Sequence, residues 1–233
     1  MPTLEVTGLK SGYMTLQVLW GIGVRVEQGE SVLLLGANGA GKTTLLRTIV
    51  GLLPAWEGSI RLNDEDVTRL RPHERVRRGI SFMSELGVFP TLSIRENLRM
   101  GGYFLSTRVV RQRSRDMFDL FPDLAKRPNA LAASLSGGQR KMLGMAKALV
   151  SHPSLLILDE PSSGLAPTFV RQVIRALGDV RKGGSALLVA EQNVAFLPLA
   201  DRGYVLEGGR VSYSGTNAEL RDSEAVRAAY FGV

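Results

Sequence analysis

Ser31-Val32-Leu33-Leu34-Leu35-Gly36-Ala37-Asn38-Gly39-Ala40-Gly41-Lys42-Thr43-Thr44 is the stretch that decides the fold. Residues 32–35 are apolar without a break, as in a strand covered on both faces of a sheet. Glycines at 36, 39 and 41 then let the backbone turn so that successive N–H groups point inward. From Lys42 onward Leu45, Leu46, Ile49 and Val50 keep helical spacing, and Gly51 is placed to end that helix. The stretch matches G-x-x-x-x-G-K-[ST], a loop whose N–H groups and following helix N-terminus hold phosphate. On that chemistry Lys42 reaches β- and γ-phosphates as a point charge, and the Thr43 hydroxyl coordinates Mg²⁺. A Gly-rich turn without a ligand is the plain alternative. The strand before and the helix after supply the context that the motif requires.

Outward from this loop, strands and helices alternate. Residues 4–9 and 18–26 read as strands and 27–30 as a turn; 58–62 is a strand, 72–78 a short helix and 79–83 a strand. Residues from about 91 to 151 carry mostly helical patterns, with a basic helix near 108–121. Residues 155–158 return to a buried strand, 167–181 to a helix and 186–189 to a strand; 205–206 with 211–213 predicts a hairpin and 223–231 a short helix. This order predicts an α/β domain with a mostly parallel sheet and right-handed crossovers. Ligands in such sheets bind at the carboxyl ends of strands, here just after Leu35, Leu158 and Val189.

Two further motifs fall where that rule points. The strand Leu155-Leu156-Ile157-Leu158 ends in Asp159-Glu160-Pro161. Asp159 is placed to hold the Mg²⁺ shell and Glu160 to orient and polarise an attacking water, since a carboxylate tied to metal is a poor base. Alone, an Asp-Glu pair after a strand is also what a solvated turn looks like; beside the phosphate loop it has a task. Leu135-Ser136-Gly137-Gly138-Gln139 opens a helix with apolar Met142, Leu143, Ala146 and Leu149. Its N–H groups and the Ser136 hydroxyl make a second anion site, although Ser136 is also an ordinary N-cap. One nucleotide does not need two cradles from one chain, so the second is expected to serve the nucleotide of a partner.

The three motifs together resemble the ATP-binding cassette (ABC) family over essentially the whole chain. The resemblance implies a P-loop NTPase (RecA-like) core, an N-terminal antiparallel β subdomain and an α-helical signature subdomain. It sets a single domain, 1–233, with the core at about 1–88 and 152–233 and the helical part at about 89–151. It implies ATP and Mg²⁺ bound by Gly36, Asn38, Gly39, Ala40, Gly41, Lys42, Thr43, Thr44 and Asp159. Ser136, Gly137, Gly138 and Gln139 would cover the partner's γ-phosphate, with Glu160, Gln192 and Lys42 catalytic. Tyr13 lies where the family sets an aromatic ring against adenine; a packed strand tyrosine is the other reading.

Arg95-Glu96-Asn97-Leu98, Ser162-Ser163-Gly164-Leu165-Ala166-Pro167, Glu191-Gln192-Asn193 and the end Ala225-Val226-Arg227-Ala228-Ala229-Tyr230-Phe231-Gly232 are similar to the smaller ATP-binding subunit of branched-chain amino acid importers. That subgroup includes urea and short-chain amide importers. It implies a cassette dimer, two membrane permeases and, indirectly, a solute-binding protein. It places the chain at the cytoplasmic face of the plasma (inner) membrane. Other systems consistent with a cassette are a lipid or drug exporter and a non-transport ATPase of DNA repair or translation.

The chain departs from the family twice. Met83-Ser84-Glu85-Leu86-Gly87 is one residue short where most members have a glutamine, so Glu85 or Ser84 stands there, and Glu85 is a further candidate nucleotide and Mg²⁺ ligand. Gln192 replaces a histidine; an amide carries no proton at neutral pH and can only orient. Phe89, Leu92 and Ile94 are expected either to form a groove for a permease helix or to fill the core.

Composition closes other routes. The 233 residues are 44% hydrophobic and 22% charged, which suits a folded domain and not a disordered chain. Zero Cys and two His exclude disulfide scaffolds, thiolate zinc sites and Cys nucleophiles, and leave almost no material for a Ser-His-Asp triad. No signal peptide or bilayer-length apolar run is visible. The net charge of +7 lies mostly in arginines, at 69, 71, 75, 77 and 78 and again at 108, 111, 113 and 115. No aromatics interleave with them, so a solvated surface is expected and nucleic acid is not.

Overall fold

The computed structural model describes residues 2–84 and 87–222. The apolar stretch forms β3 (Ser31–Leu35), and the helix after it is α1 (Lys42–Ile49). Before them β1 (Pro2–Tyr13) and β2 (Leu16–Glu27) pair antiparallel, and β4 (Glu57–Leu62) with the short β5 (Glu65–Asp66) completes a four-stranded sheet. Then come α2 (Pro72–Arg77), β6 (Ile80–Met83), α3 (Ile94–Gly101), α4 (Thr107–Leu120), α5 (Pro122–Ala125) and α6 (Gly137–Leu149). The chain closes with β7 (Leu155–Asp159), α7 (Pro167–Lys182), β8 (Ala186–Glu191), β9 (Arg202–Glu207), β10 (Arg210–Thr216) and α8 (Asn217–Asp222). The helix expected over 223–231 lies outside the described residues. Sequence patterning missed β5, α8 and the 3₁₀ turn at Val194–Leu199, each too short to show a period.

The second sheet has the order β10-β9-β3-β8-β7-β6. Five of its strands run parallel and β10 is antiparallel at the edge. Alternation of side chains explains why β3, β7 and β8 are apolar throughout. Val32, Leu34, Leu155, Ile157 and Leu188 face one core, shared with β1, β2, β4 and Leu45, Leu46 and Ile49 of α1. Leu33, Leu35, Leu156, Leu158 and Val189 face the other, shared with α3, α6 and α7. Ile94 is buried in this second core, whereas Phe89 is exposed and Leu92 half-buried, so the three do not act together. The buried Asn97 organises that turn, accepting from Phe89 N at 2.8 Å and donating to the carbonyls of Phe89, Leu92 and Ser93.

Arg75 departs from the solvated surface expected of its cluster. It is 2% exposed and donates to Thr48 O (2.9 Å), Ile49 O (2.7 Å), Leu70 O (3.0 Å) and Thr68 O (2.9 Å). Two of these acceptors lie in the last turn of α1, where orphan carbonyls and the negative end of the helix dipole favour a cation. Burial depresses the Arg75 pKa, with the charge of Asp66 opposing. Arg75 thus anchors the far end of the helix whose near end follows the glycine-rich loop 36–41. Arg108, Arg111 and Arg115 are exposed as expected, while the half-buried Arg113 donates to Val150 O and Ser151 O just past α6.

Arg75→Met leaves buried carbonyls without a donor and is expected to lower stability by about 3 kcal/mol. Thermal unfolding of the variant checks this, and Arg75→Lys should recover only part, because one ammonium cannot reproduce the forked geometry.

Candidate active site

The parallel register brings three loops to one level. Leu35 pairs with Glu191 and Asp159 with Ala190, so 36–41, 160–165 and 192–193 leave adjacent strands side by side. The first loop is tightly built. A Cβ on Gly36 would lie 2.7 Å from Leu206 O, and Gly41 takes φ +105°, which L side chains avoid. Lys42, 4% exposed, folds beneath the loop and donates to Gly36 O (2.7 Å) and Ala37 O (3.2 Å).

Two carboxylates close the loop from β7. Thr43 Oγ1 donates to Asp159 Oδ1 at 3.0 Å. Burial raises the Asp159 pKa most, the Thr43 bond opposes it, and the neighbouring Glu160 charge adds to the rise. Glu160 Oε1 lies 3.5 Å from Lys42 Nζ. Glu160 adopts φ 47°, a left-handed backbone that costs a non-glycine residue about 1 kcal/mol or more. Ties from outside hold it there: its N–H donates to Ala190 O (2.9 Å), and its carbonyl accepts from Lys141 Nζ of α6 (3.1 Å).

Gln192 joins the two loops. Its Nε2 donates to Glu160 Oε1 (2.9 Å) and to Asn38 Oδ1 (2.7 Å). Glu160, Gln192, Asn38 and Lys42 therefore form one connected group drawn from positions far apart in the chain. Glu191, which sequence reasoning did not single out, is buried beside them. Its one local signal was a carboxylate closing the apolar run 186–190.

The remaining candidates sit as follows. Gly39 and Ala40 complete the loop, and Ala40 N donates back to Ala37 O. Thr44 is buried in α1, and its Oγ1 lies 3.5 Å from the Tyr13 hydroxyl. Tyr13 is 38% exposed at the end of β1, so it is not a core strand residue. Ser136 caps α6, accepting from Gln139 N (3.3 Å), while Gln139 Oε1 accepts from Ser136 N (3.1 Å). Ser136 and Gly137 are exposed, and Gly138 is buried against the Phe169 ring. Glu85 lies outside the described residues, and Ser84 is half-buried. The hydroxyl and carboxylate oxygens of Thr43 and Asp159 suit a hard cation such as Mg²⁺. Among the described residues no cluster of three or more His, Cys, Asp or Glu could hold a metal ion.

A glycine-rich loop and a strand-end Asp-Glu pair thus lie at one end of an α/β sheet, with a Ser-Gly-Gly helix start elsewhere in the chain. The family model described as ABC transporter covers residues 19–163. The chain belongs to the ABC transporter family. It is an ATP-hydrolysing enzyme of that family. The branched-chain amino acid transport ATP-binding protein BraG of Pseudomonas aeruginosa is 41% identical over 222 residues, covering 94% of this chain and 95% of that protein. The lipopolysaccharide export system ATP-binding protein LptB of Escherichia coli is 33% identical over 237 residues, covering 100% and 98%. A solved ATP-binding subunit of an ABC transporter superposes with TM-score 0.84 at 29% identity, covering 99% and 96%. The cassette carries no helix long and apolar enough to cross a membrane among its described residues.

The raised Asp159 pKa carries a sign. Between the ordinary 3.8 and the raised native value the folded cassette keeps a proton that the unfolded chain has lost. Stability of the nucleotide-free protein therefore falls as pH rises through that window. Asp159→Asn is expected to remove this part of the fall. Melting curves of both proteins across pH check it, and parallel pH profiles would refute it.

Proposed function

We propose that this cassette hydrolyses ATP in a dimer and powers a branched-chain amino acid importer. The observation that carries the hydrolytic part is the connected group Lys42, Glu160, Gln192 and Asn38 at the strand ends. Lys42 and the loop N–H groups hold the phosphates, and Tyr13 flanks the adenine. Thr43 and Asp159 would hold Mg²⁺, which when bound neutralises phosphate charge. Glu160 accepts hydrogen bonding from the attacking water and turns it toward the γ-phosphate. Gln192 fixes the Glu160 carboxylate by its amide and relays no proton. Ser136 and Gly137, exposed at the start of α6, are free to meet the nucleotide of a second cassette. ATP then stabilises the closed pair by binding it better than the open one.

The importer reading rests on the resemblance to BraG over nearly both full lengths. A lipid-export reading is favoured by the end-to-end match to LptB, so chain layout does not separate the two. In either system a groove of about 750 Å³ lined by Leu92, Arg95, Met100, Tyr103 and Phe118 suits a permease segment. The chain would then sit peripherally at the cytoplasmic face of the membrane. Co-purification of the native complex, followed by ligand binding to its solute-binding protein, tests the importer. Recovery of lipid-extracting permeases instead would reverse it.

Glu160→Gln is expected to lower ATP turnover at least about 100-fold while ATP binding persists. It should also accumulate an ATP-dependent dimer, seen by light scattering. Full turnover in this variant removes Glu160 as the base.

A further inference from the structure

Glu191 has no part in the chemistry proposed above, yet it is a carboxylate only 2% exposed. Its partners are three backbone N–H groups on two loops. Oε1 accepts from Ser162 N (2.7 Å), in the turn that follows Glu160; Oε2 accepts from Gln192 N (3.1 Å) and Asn193 N (3.3 Å). Asn193 Nδ2 adds a 3.5 Å contact to Ser162 Oγ. An apolar side chain in this corner would leave those N–H groups without an acceptor, a cost that offsets the burial of the carboxylate. A carboxylate is the side chain that offers two acceptor oxygens and no donor, which is what three converging N–H groups require.

We infer that Glu191 is a positioning residue that locks the turn after Glu160 to the Gln192 segment, so that base and amide move as one unit. The strained backbone of Glu160 supports this. A φ of 47° persists only when neighbours over-determine it, and Glu191 fixes the residue two positions on. The Gln192 side chain meets Glu160 Oε1 at 2.9 Å, so releasing either loop shifts the carboxylate relative to the phosphates. Burial raises the Glu191 pKa, and hydrogen bonds from the Ser162 backbone and side chain and from the Asn193 and Gln192 N–H groups oppose the rise.

The inference rests on Glu160 and Gln192 acting as proposed, and the test separates the two. Steady-state ATPase and ATP binding are measured on the full chain for Glu191→Ala, Glu191→Gln, Gln192→Ala, Glu191→Ala with Gln192→Ala, and Glu160→Gln. Glu191→Ala should lower kcat about 10- to 100-fold with KM for ATP nearly unchanged, the size expected of misplaced catalytic groups. Glu191→Gln, which keeps an acceptor oxygen, should fall between it and the parent. Adding Glu191→Ala to Gln192→Ala should cost little more, because both act through one contact. Should Glu191→Ala fail to fold, a kcat loss in Glu191→Gln at unchanged KM carries the test. Normal kcat in the Glu191 variants, a loss confined to KM, or fully multiplying losses overturns the inference. Turnover surviving in Glu160→Gln instead sinks the catalytic reading itself.

Discussion

The site depends on three neighbouring strands held in one parallel register. With β8 between β3 and β7, and Leu35 paired to Glu191 and Asp159 to Ala190, their three following loops emerge together. Strands in a sheet are about 4.8 Å apart, so loops from adjacent strands touch through side chains. Insert one more strand and Gln192 could not reach both Asn38 and Glu160. The apolar character of all three strands makes this order stable, because each buries side chains on both faces of the sheet.

Polar groups in the interior divide into two kinds. Every side-chain nitrogen of Arg75 and Asn97 has a carbonyl partner, and both residues hold the local backbone, one at the end of α1 and the other in the turn before α3. Around the phosphate loop the balance differs. Lys42, Asp159 and Glu191 are buried ionisable groups, and Glu160 has a strained backbone. Such a concentration lowers stability and is sustained by the apolar sheet beneath it.

Two contacts tie the helical segment to this corner. Lys141 of α6 holds the Glu160 carbonyl, and the Gly138 backbone lies against the Phe169 ring of α7. The helix that presents Ser136 outward is therefore joined to the loop that carries Glu160.

Much was legible in the residue order, for reasons of short range. The run 31–35, the glycines that follow and the helical spacing from Lys42 each act within a few residues, and the strand, turn and helix appear where they point. The Asp-Glu pair after 155–158 and the cap at Ser136 are equally local. Pairing was not legible in this way: nothing near Gln192 names Asn38 as its partner, and nothing near Arg75 shows that it lies under α1. Glu191 stood out only within the resemblance motif Glu191-Gln192-Asn193, and Arg75 as one surface charge among several. The chain by itself determined which segments become strands, cradles and caps, because backbone preference and burial pattern act locally. Only the tertiary structure decided which side chains meet, because strand order depends on contacts between segments distant along the chain, such as Leu35 with Glu191.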